Sequence, residues 1–130
     1  MSTVPYTEAW LNGPSYHKFY TRTYTSTSPA KAAVVFIHGF IEHIGRFEHI
    51  FPKYQARGIT VFAFDQRGFG RTAEDKERSK DAMYGKTNTV DALRDTEWAV
   101  GVAKEKVGDA PVFLMGHSMV SFLVLAQWNA

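Results

Sequence analysis

Apolar residues recur along this chain with three different periods, and each predicts a different element. Up to about residue 28 they alternate with polar ones: Tyr6, Ala9 and Leu11, then Tyr16, Phe19 and Tyr24. Asn12-Gly13-Pro14 separates the two runs as turn chemistry, so the segment predicts an antiparallel hairpin. The polar stretch TSTSPAK (25–31) then connects to AAVVFIHGF (32–40), a continuous apolar run closed by glycine. A run without alternation suits a strand buried on both faces. ITVFAFD (59–65) and PVFLMG (111–116) have the same character. Between them the period lengthens. Phe47, Ile50, Phe51 and Tyr54 recur at helical spacing and stop at Gly58. Pro52 requires that this helix begin near Phe51, with the proline in its first turn, or kink there. Asn88 can cap a second helix, with Asp91 three residues on and Val90, Leu93, Val100, Ala103 and Val107 on its buried face; Gly108 ends it. Residues 72–87 are polar and charged and read as a surface loop.

The resulting order is hairpin, strand, helix, strand, helix, strand, and then the start of a further helix. Strand–helix alternation of this kind predicts an α/β fold with a mostly parallel sheet and flanking helices. At 130 residues the chain is long enough for one domain with a core and too short for two.

Composition narrows the function. Fifteen basic and thirteen acidic residues leave a formal charge of +2, with no cluster of Lys and Arg, so nucleic acid is not an expected partner. Cysteine is absent, which excludes disulfides, thiolate zinc sites and cysteine nucleophiles. The N-terminal residues lack the basic start and apolar run of a signal peptide. No stretch reaches the ~18 apolar residues of a transmembrane segment.

Three short motifs carry chemistry. Gly116-His117-Ser118-Met119 falls where a buried strand turns into a helix. A serine on such a turn is held in strained backbone geometry with its hydroxyl exposed, the arrangement of a nucleophile elbow, G-x-S-x-G. The competing reading is a turn that merely joins strand to helix. His38-Gly39-Phe40 ends the first buried strand. A backbone N–H at Phe40 could face the same oxyanion as the N–H of Met119, and each such donor typically contributes ~10²–10³ in rate. His38 itself is expected to support its loop and not to move protons. Asp65-Gln66-Arg67-Gly68-Phe69-Gly70 lacks the third glycine of a dinucleotide fingerprint and reads as a structural loop. His38, His43, His49, Glu42 and Glu48 fit no standard metal-ligand spacing.

Taken together, VVFIHGFIEHIGRFEHI, GITVFAFDQRGFGRT and PVFLMGHSM resemble the N-terminal half of α/β-hydrolase serine enzymes of the monoacylglycerol lipase and lysophospholipase (serine aminopeptidase-like) type. His-Gly-x-x-Glu-His, Asp-x-Arg-Gly-x-Gly and Gly-His-Ser-Met occur in the family's order. The resemblance implies a truncated α/β-hydrolase fold over residues 1–119, with 120–130 as an atypical apolar tail. It implies Ser118 as nucleophile and the backbone N–H groups of Phe40 and Met119 as the oxyanion hole. It further implies an acyl ester of glycerol as a lipid-like substrate and an acyl-enzyme intermediate. No metal or organic cofactor is implied, and the location would be cytoplasmic or peripheral at a lipid-droplet or membrane surface.

The sequence departs from that family after Ser118. Family members place the triad acid and histidine beyond the serine, and residues 119–130 contain no Asp, Glu or His. The chain is therefore expected to be catalytically incomplete. Val120 stands where a glycine permits close strand–helix packing, so overpacking of roughly 1–3 kcal/mol or a displaced turn is expected. Val-Ser after Met119 can be encoded by the bases that open an intron, so the tail is expected to derive from a retained intron or a gene-model error. The strand ending at Met115 is expected to form an open apolar edge that invites self-association. Two rival functions follow: a non-catalytic binding or regulatory fragment, and a small α/β domain for a nucleotide or phosphorylated ligand.

Overall fold

A computed structural model of the chain describes residues 5–118. Five strands form one sheet: β1 (Thr7–Asn12), β2 (Lys18–Tyr24), β3 (Ala32–Ile37), β4 (Ile59–Phe64) and β5 (Val112–Gly116). Their spatial order is β1-β2-β4-β3-β5. β1 and β2 form the expected antiparallel hairpin, and β2 joins β4 antiparallel. β3 pairs parallel with β4 on one side and with β5 on the other. The sheet is thus mixed, with the parallel core that the continuous apolar runs predict.

In β3 and β4 the runs are continuous because both faces are covered; β5, expected to be equally buried, is only partly so, because it is the outer strand of the described sheet and leaves Phe113 56% exposed. Phe19, Val35, Ile37, Phe62 and Phe64 face the long helix α3 (Thr89–Val107) and pack with Ala99 and Ala103. Tyr20, Tyr24, Phe36, Val61 and Ala63 face the other way, toward Ile44 and Phe51. Neighbouring residues of one strand therefore serve two cores, as the two-residue period of a strand requires.

The second helix is capped as expected: Asn88 accepts from the Asp91 N–H at 2.9 Å, and Gly108 closes it at φ 62°. Its expected face holds at four of five positions: Ala103 is buried and Leu93, Val100 and Val107 pack against the core, whereas Val90 is 57% exposed, and Asp95, Thr96 and Ala99 are buried as well. Val90 sits in the first turn, before the helix reaches the sheet, and Asp95 is buried because Arg67 pairs with it. Among the two options for the first helix, the shorter holds. A 3₁₀ turn spans Ile44–Phe47, and α1 is Phe51–Gln55 with Pro52 in its first turn. Residues 72–87 are not all loop. A short helix α2 (Gly70–Glu74) buries Thr72 and Ala73, which polarity alone did not disclose because Thr72 is buried through hydrogen bonds. Its hydroxyl donates to the Asp65 carbonyl at 2.6 Å and accepts from the Tyr20 N–H at 3.1 Å. Met119, Val120 and the tail lie outside the described residues.

Candidate active site

Parallel pairing of β3 and β5 places Ile37 opposite Gly116, so both strands end at the same edge of the sheet. The loops that leave them are neighbours, at the carboxyl ends where open α/β sheets bind ligands. The His117 N–H donates to the Ile37 carbonyl at 3.1 Å, extending the pairing by one bond into the turn. Ser118 follows at φ 62°, and it is exposed. A non-glycine residue in the left-handed region is uncommon and strained. It is the backbone geometry that the elbow reading requires.

On the β3 side, residues 39–42 form a turn closed by the Glu42 N–H donating to the Gly39 carbonyl at 3.1 Å. Phe40 is the second residue of that turn, a position whose own N–H lies outside the closing bond. Its side chain is 59% exposed and stands edge-on to Phe69, with centroids 5.2 Å apart. Met119, the other expected oxyanion donor, lies outside the described residues.

His38 is fully buried beneath this turn. Its Nε2 accepts from the Gln66 N–H at 2.8 Å, and its Nδ1 lies 2.7 Å from the Gly39 carbonyl. A carbonyl can only accept, so Nδ1 carries the proton and Nε2 is the acceptor. Burial pushes its pKa below the usual 6.5, with the Gly39 hydrogen bond and the Asp65 and Glu42 charges opposing. Both nitrogens of a neutral imidazole are thereby occupied, and His38 supports the loop. The Gln66 side chain reinforces it, donating to the His38 carbonyl at 2.6 Å.

The loop after β4 holds the neighbouring chain segments in place. The buried Asp65 carboxylate accepts from the Ile44 N–H at 2.8 Å and the Arg71 N–H at 2.9 Å. It therefore ties the segment after β3 to the start of α2. Gly70 has φ 52°, and a Cβ there would collide with that carboxylate. Arg67 does not turn toward Asp65. It makes two bonds to Asp95 of α3, each 3.0 Å, and one to the Pro14 carbonyl at 3.2 Å. This glycine-bearing loop is accordingly filled by its own side chains.

Glu42 went unrecognised in the sequence as part of the site. Its Oε1 accepts from the Gly39 N–H at 2.5 Å and lies 2.9 Å from His117 Nδ1. A carboxylate three residues after a turn's first N–H can reach back to it, as in a capping box. The spacing from Gly39 to Glu42 is that signal. His117 also packs edge-on against Phe47, with centroids 5.3 Å apart.

An antiparallel lead-in, a parallel core and a strained serine at the end of β5, beside a turn at the end of β3, define an α/β-hydrolase. A family model for serine aminopeptidases of the S33 group, Hydrolase_4, matches residues 28–128. The chain belongs to that family. It is 30% identical over 103 residues to a monoacylglycerol lipase of Mycolicibacterium smegmatis, covering 79% of this chain and 34% of the relative. It is 28% identical over 129 residues to the monoglyceride lipase of Mus musculus, covering 95% of this chain and 40% of that one. Among solved structures, a thermostable carboxyl esterase from Bacillus coagulans in complex with glycerol superposes with a TM-score of 0.77 at 28% identity, over 93% of this chain and 39% of that one. A soluble variant of monoglyceride lipase from Saccharomyces cerevisiae, in complex with a substrate analog, gives 0.69 at 25% identity, over 92% of this chain and 36% of that one. The chain thus spans well under half the length of these relatives. Among the described residues, no helix is long and apolar enough to cross a membrane.

Proposed function

We propose that this chain carries the nucleophile and oxyanion half of a serine ester hydrolase acting on an acyl ester of glycerol. The observation that carries the reading is Ser118 at φ 62° on the turn after β5, next to the Phe40 turn after β3. The activities of the related monoglyceride lipases and carboxyl esterase support the substrate class. In this scheme the Ser118 hydroxyl attacks the ester carbonyl carbon. The developing oxyanion is received by the backbone N–H groups of Phe40 and Met119, where preorganised donors act on charge that appears only in the transition state. Collapse expels the glycerol oxygen, which takes up the proton lost by Ser118, and leaves an acyl-serine; water then cleaves it, giving the carboxylic acid and returning a proton to Ser118.

Proton transfer needs a histidine and an acid, which family members place beyond the serine and which residues 119–130 do not contain. His38 has both nitrogens engaged and is no substitute. The 130-residue chain on its own is therefore expected to be a poor hydrolase. A fluorophosphonate probe tests the nucleophile without requiring turnover. Labelling of the parent chain should map to Ser118 and vanish in Ser118→Ala. Equal labelling of the two proteins would refute the assignment.

One observation favours a second reading, a non-catalytic fragment that binds through the sheet edge. β5 is the last strand of the sheet among the described residues, and Phe113 on it is 56% exposed. Family membership displaces the third reading, a nucleotide-binding domain.

A further inference from the structure

Ile41 is an anomaly beside the proposed oxyanion donor. It is the third residue of the 39–42 turn and has φ 65°. A turn with a positive φ at that position calls for glycine or asparagine, and a β-branched residue there is a genuine outlier. Its side chain is 61% exposed, so burial of Ile41 itself does not repay the strain. Something else must hold the turn in this shape.

We propose that Glu42 is a positioning residue: its carboxylate locks the strained oxyanion turn and ties that turn to the nucleophile turn through His117. The proposal rests on Ser118 and Phe40 having the roles given above. Glu42 grips the turn at both ends of one residue. Its own N–H donates to the Gly39 carbonyl at 3.1 Å, and its Oε1 accepts the Gly39 N–H at 2.5 Å. The same oxygen meets His117 Nδ1 at 2.9 Å, so one atom spans the loops that follow β3 and β5. Because a carboxylate only accepts, His117 donates through Nδ1, which fixes the ring toward Glu42. Oε2 is steadied by Arg46 Nη1 at 3.2 Å. Gly39 completes the fit, since a Cβ on it would collide with the Glu42 carboxylate and approach His117 Nδ1 at 3.3 Å. The Glu42 side chain is only 11% exposed. Burial there opposes ionisation, yet the bonds from His117 and Gly39 hold its carboxyl below the usual 4.5.

The test compares Glu42→Ala, Glu42→Gln and the double variant Ile41→Gly/Glu42→Ala in the full chain. Two quantities are read: the rate of Ser118 labelling by a fluorophosphonate, and the exchange rate of the Gly39 amide by NMR. E42A should slow labelling about tenfold or more, because small misplacement of a catalytic donor is costly. It should also speed Gly39 exchange at least about tenfold, through loss of a charge-assisted bond. E42Q keeps an acceptor oxygen and should recover most of both. I41G/E42A should regain labelling, because glycine takes the positive φ without a tether. A merely structural carboxylate would not be rescued by relieving strain at residue 41. The proposal is overturned if E42A labels at the parent rate, or if the double variant labels no faster than E42A. Absence of labelling in the parent would sink the nucleophile reading instead, and the tether would then stand or fall on Gly39 exchange alone.

Discussion

Removing the Arg67 side chain should be among the most damaging single changes in this fold. Asp95 lies on α3 with 3% of its surface exposed, and Arg67 covers it with two 3.0 Å bonds from Nε and Nη2. The guanidinium also bonds the Pro14 carbonyl and lies 5.5 Å from the Phe19 ring centroid, so it joins the hairpin turn, the β4 loop and α3. Breaking a buried pair from one side leaves an uncompensated charge and costs about 3–5 kcal/mol. Arg67→Ala should therefore lose about 4 kcal/mol. With a urea slope of about 2 kcal/mol/M, the midpoint falls by about 2 M. Trp98, stacked on Phe19 at 5.0 Å, supplies the fluorescence signal. Burial pushes the Asp95 carboxyl upward while Arg67 pulls it back. In R67A the second influence is gone, so the orphaned carboxyl can escape its penalty by binding a proton, and the deficit should shrink in mild acid. Replacing both partners, as Arg67→Met/Asp95→Leu, should restore most of the loss, since a well-packed apolar pair can equal a buried ion pair. An R67A deficit under about 1 kcal/mol, or a double variant as unstable as R67A, would refute the reasoning.

Two further outcomes are expected. His17 is 4% exposed, and neither ring nitrogen has a hydrogen-bond partner among the described residues; the nearest, Asp81, is 3.6 Å away. Burial pushes its pKa below 6.5, with the Arg67 charge next, against the pull of Asp81 and Asp91; Lys86 adds weakly to the lowering. The unfolded chain binds that proton first, so the stability tied to neutral His17 is present above pH 6.5 and is lost as pH falls through the depressed folded value. His17→Phe should flatten the fall in Tm between about pH 7.5 and about pH 5, leaving the share contributed by His38; identical slopes would count against it. At the sheet edge, Phe113→Lys should weaken self-association of the chain measured by sedimentation velocity. A parent chain that sediments as a monomer at all concentrations would end the edge-pairing idea.

β3 and β4 were legible because both of their faces are buried. AAVVFI is wholly apolar and ITVFAF has Thr60 as its one polar position, and the two strands fall where the runs do. Asn88 and Gly108 were legible because capping is local chemistry. Elements held by long-range polar bonds were not. Thr72 looks like a loop residue until Tyr20 of a distant strand donates to it. Asp95 breaks the apolar face of α3 because Arg67, 28 positions earlier, neutralises it. Glu42 was harder still. Its bond to Gly39 is local, but its bond to His117 bridges 75 positions and exists only because β3 and β5 are neighbours in the sheet. Spacing along the chain carries no trace of that pairing.

The site described above separates two tasks that a serine hydrolase must combine. Receiving the oxyanion is a backbone task, and it depends on two turns at the ends of adjacent strands, both of which lie within or at the limit of the described residues. Moving the proton is a side-chain task, and it depends on a histidine aimed at Ser118 with a carboxylate behind it. His38, next to the first turn, has both nitrogens committed to Gln66 and Gly39, and residues 119–130 contain neither the histidine nor the acid that family members place beyond the serine. Magnitudes then bound what the 130-residue chain can do. Loss of the base from a serine hydrolase costs on the order of 10⁶ in rate, while oxyanion donors and binding alone retain roughly 10³–10⁴ over water. Turnover by this chain alone should fall within that residual range and drop about a further tenfold when the Phe40 turn is loosened by Glu42→Ala. Supplying a base in solution, as added imidazole, should raise hydrolysis by the parent chain more than by Ser118→Ala. Equal stimulation of the two would mean that the ester is cleaved without Ser118.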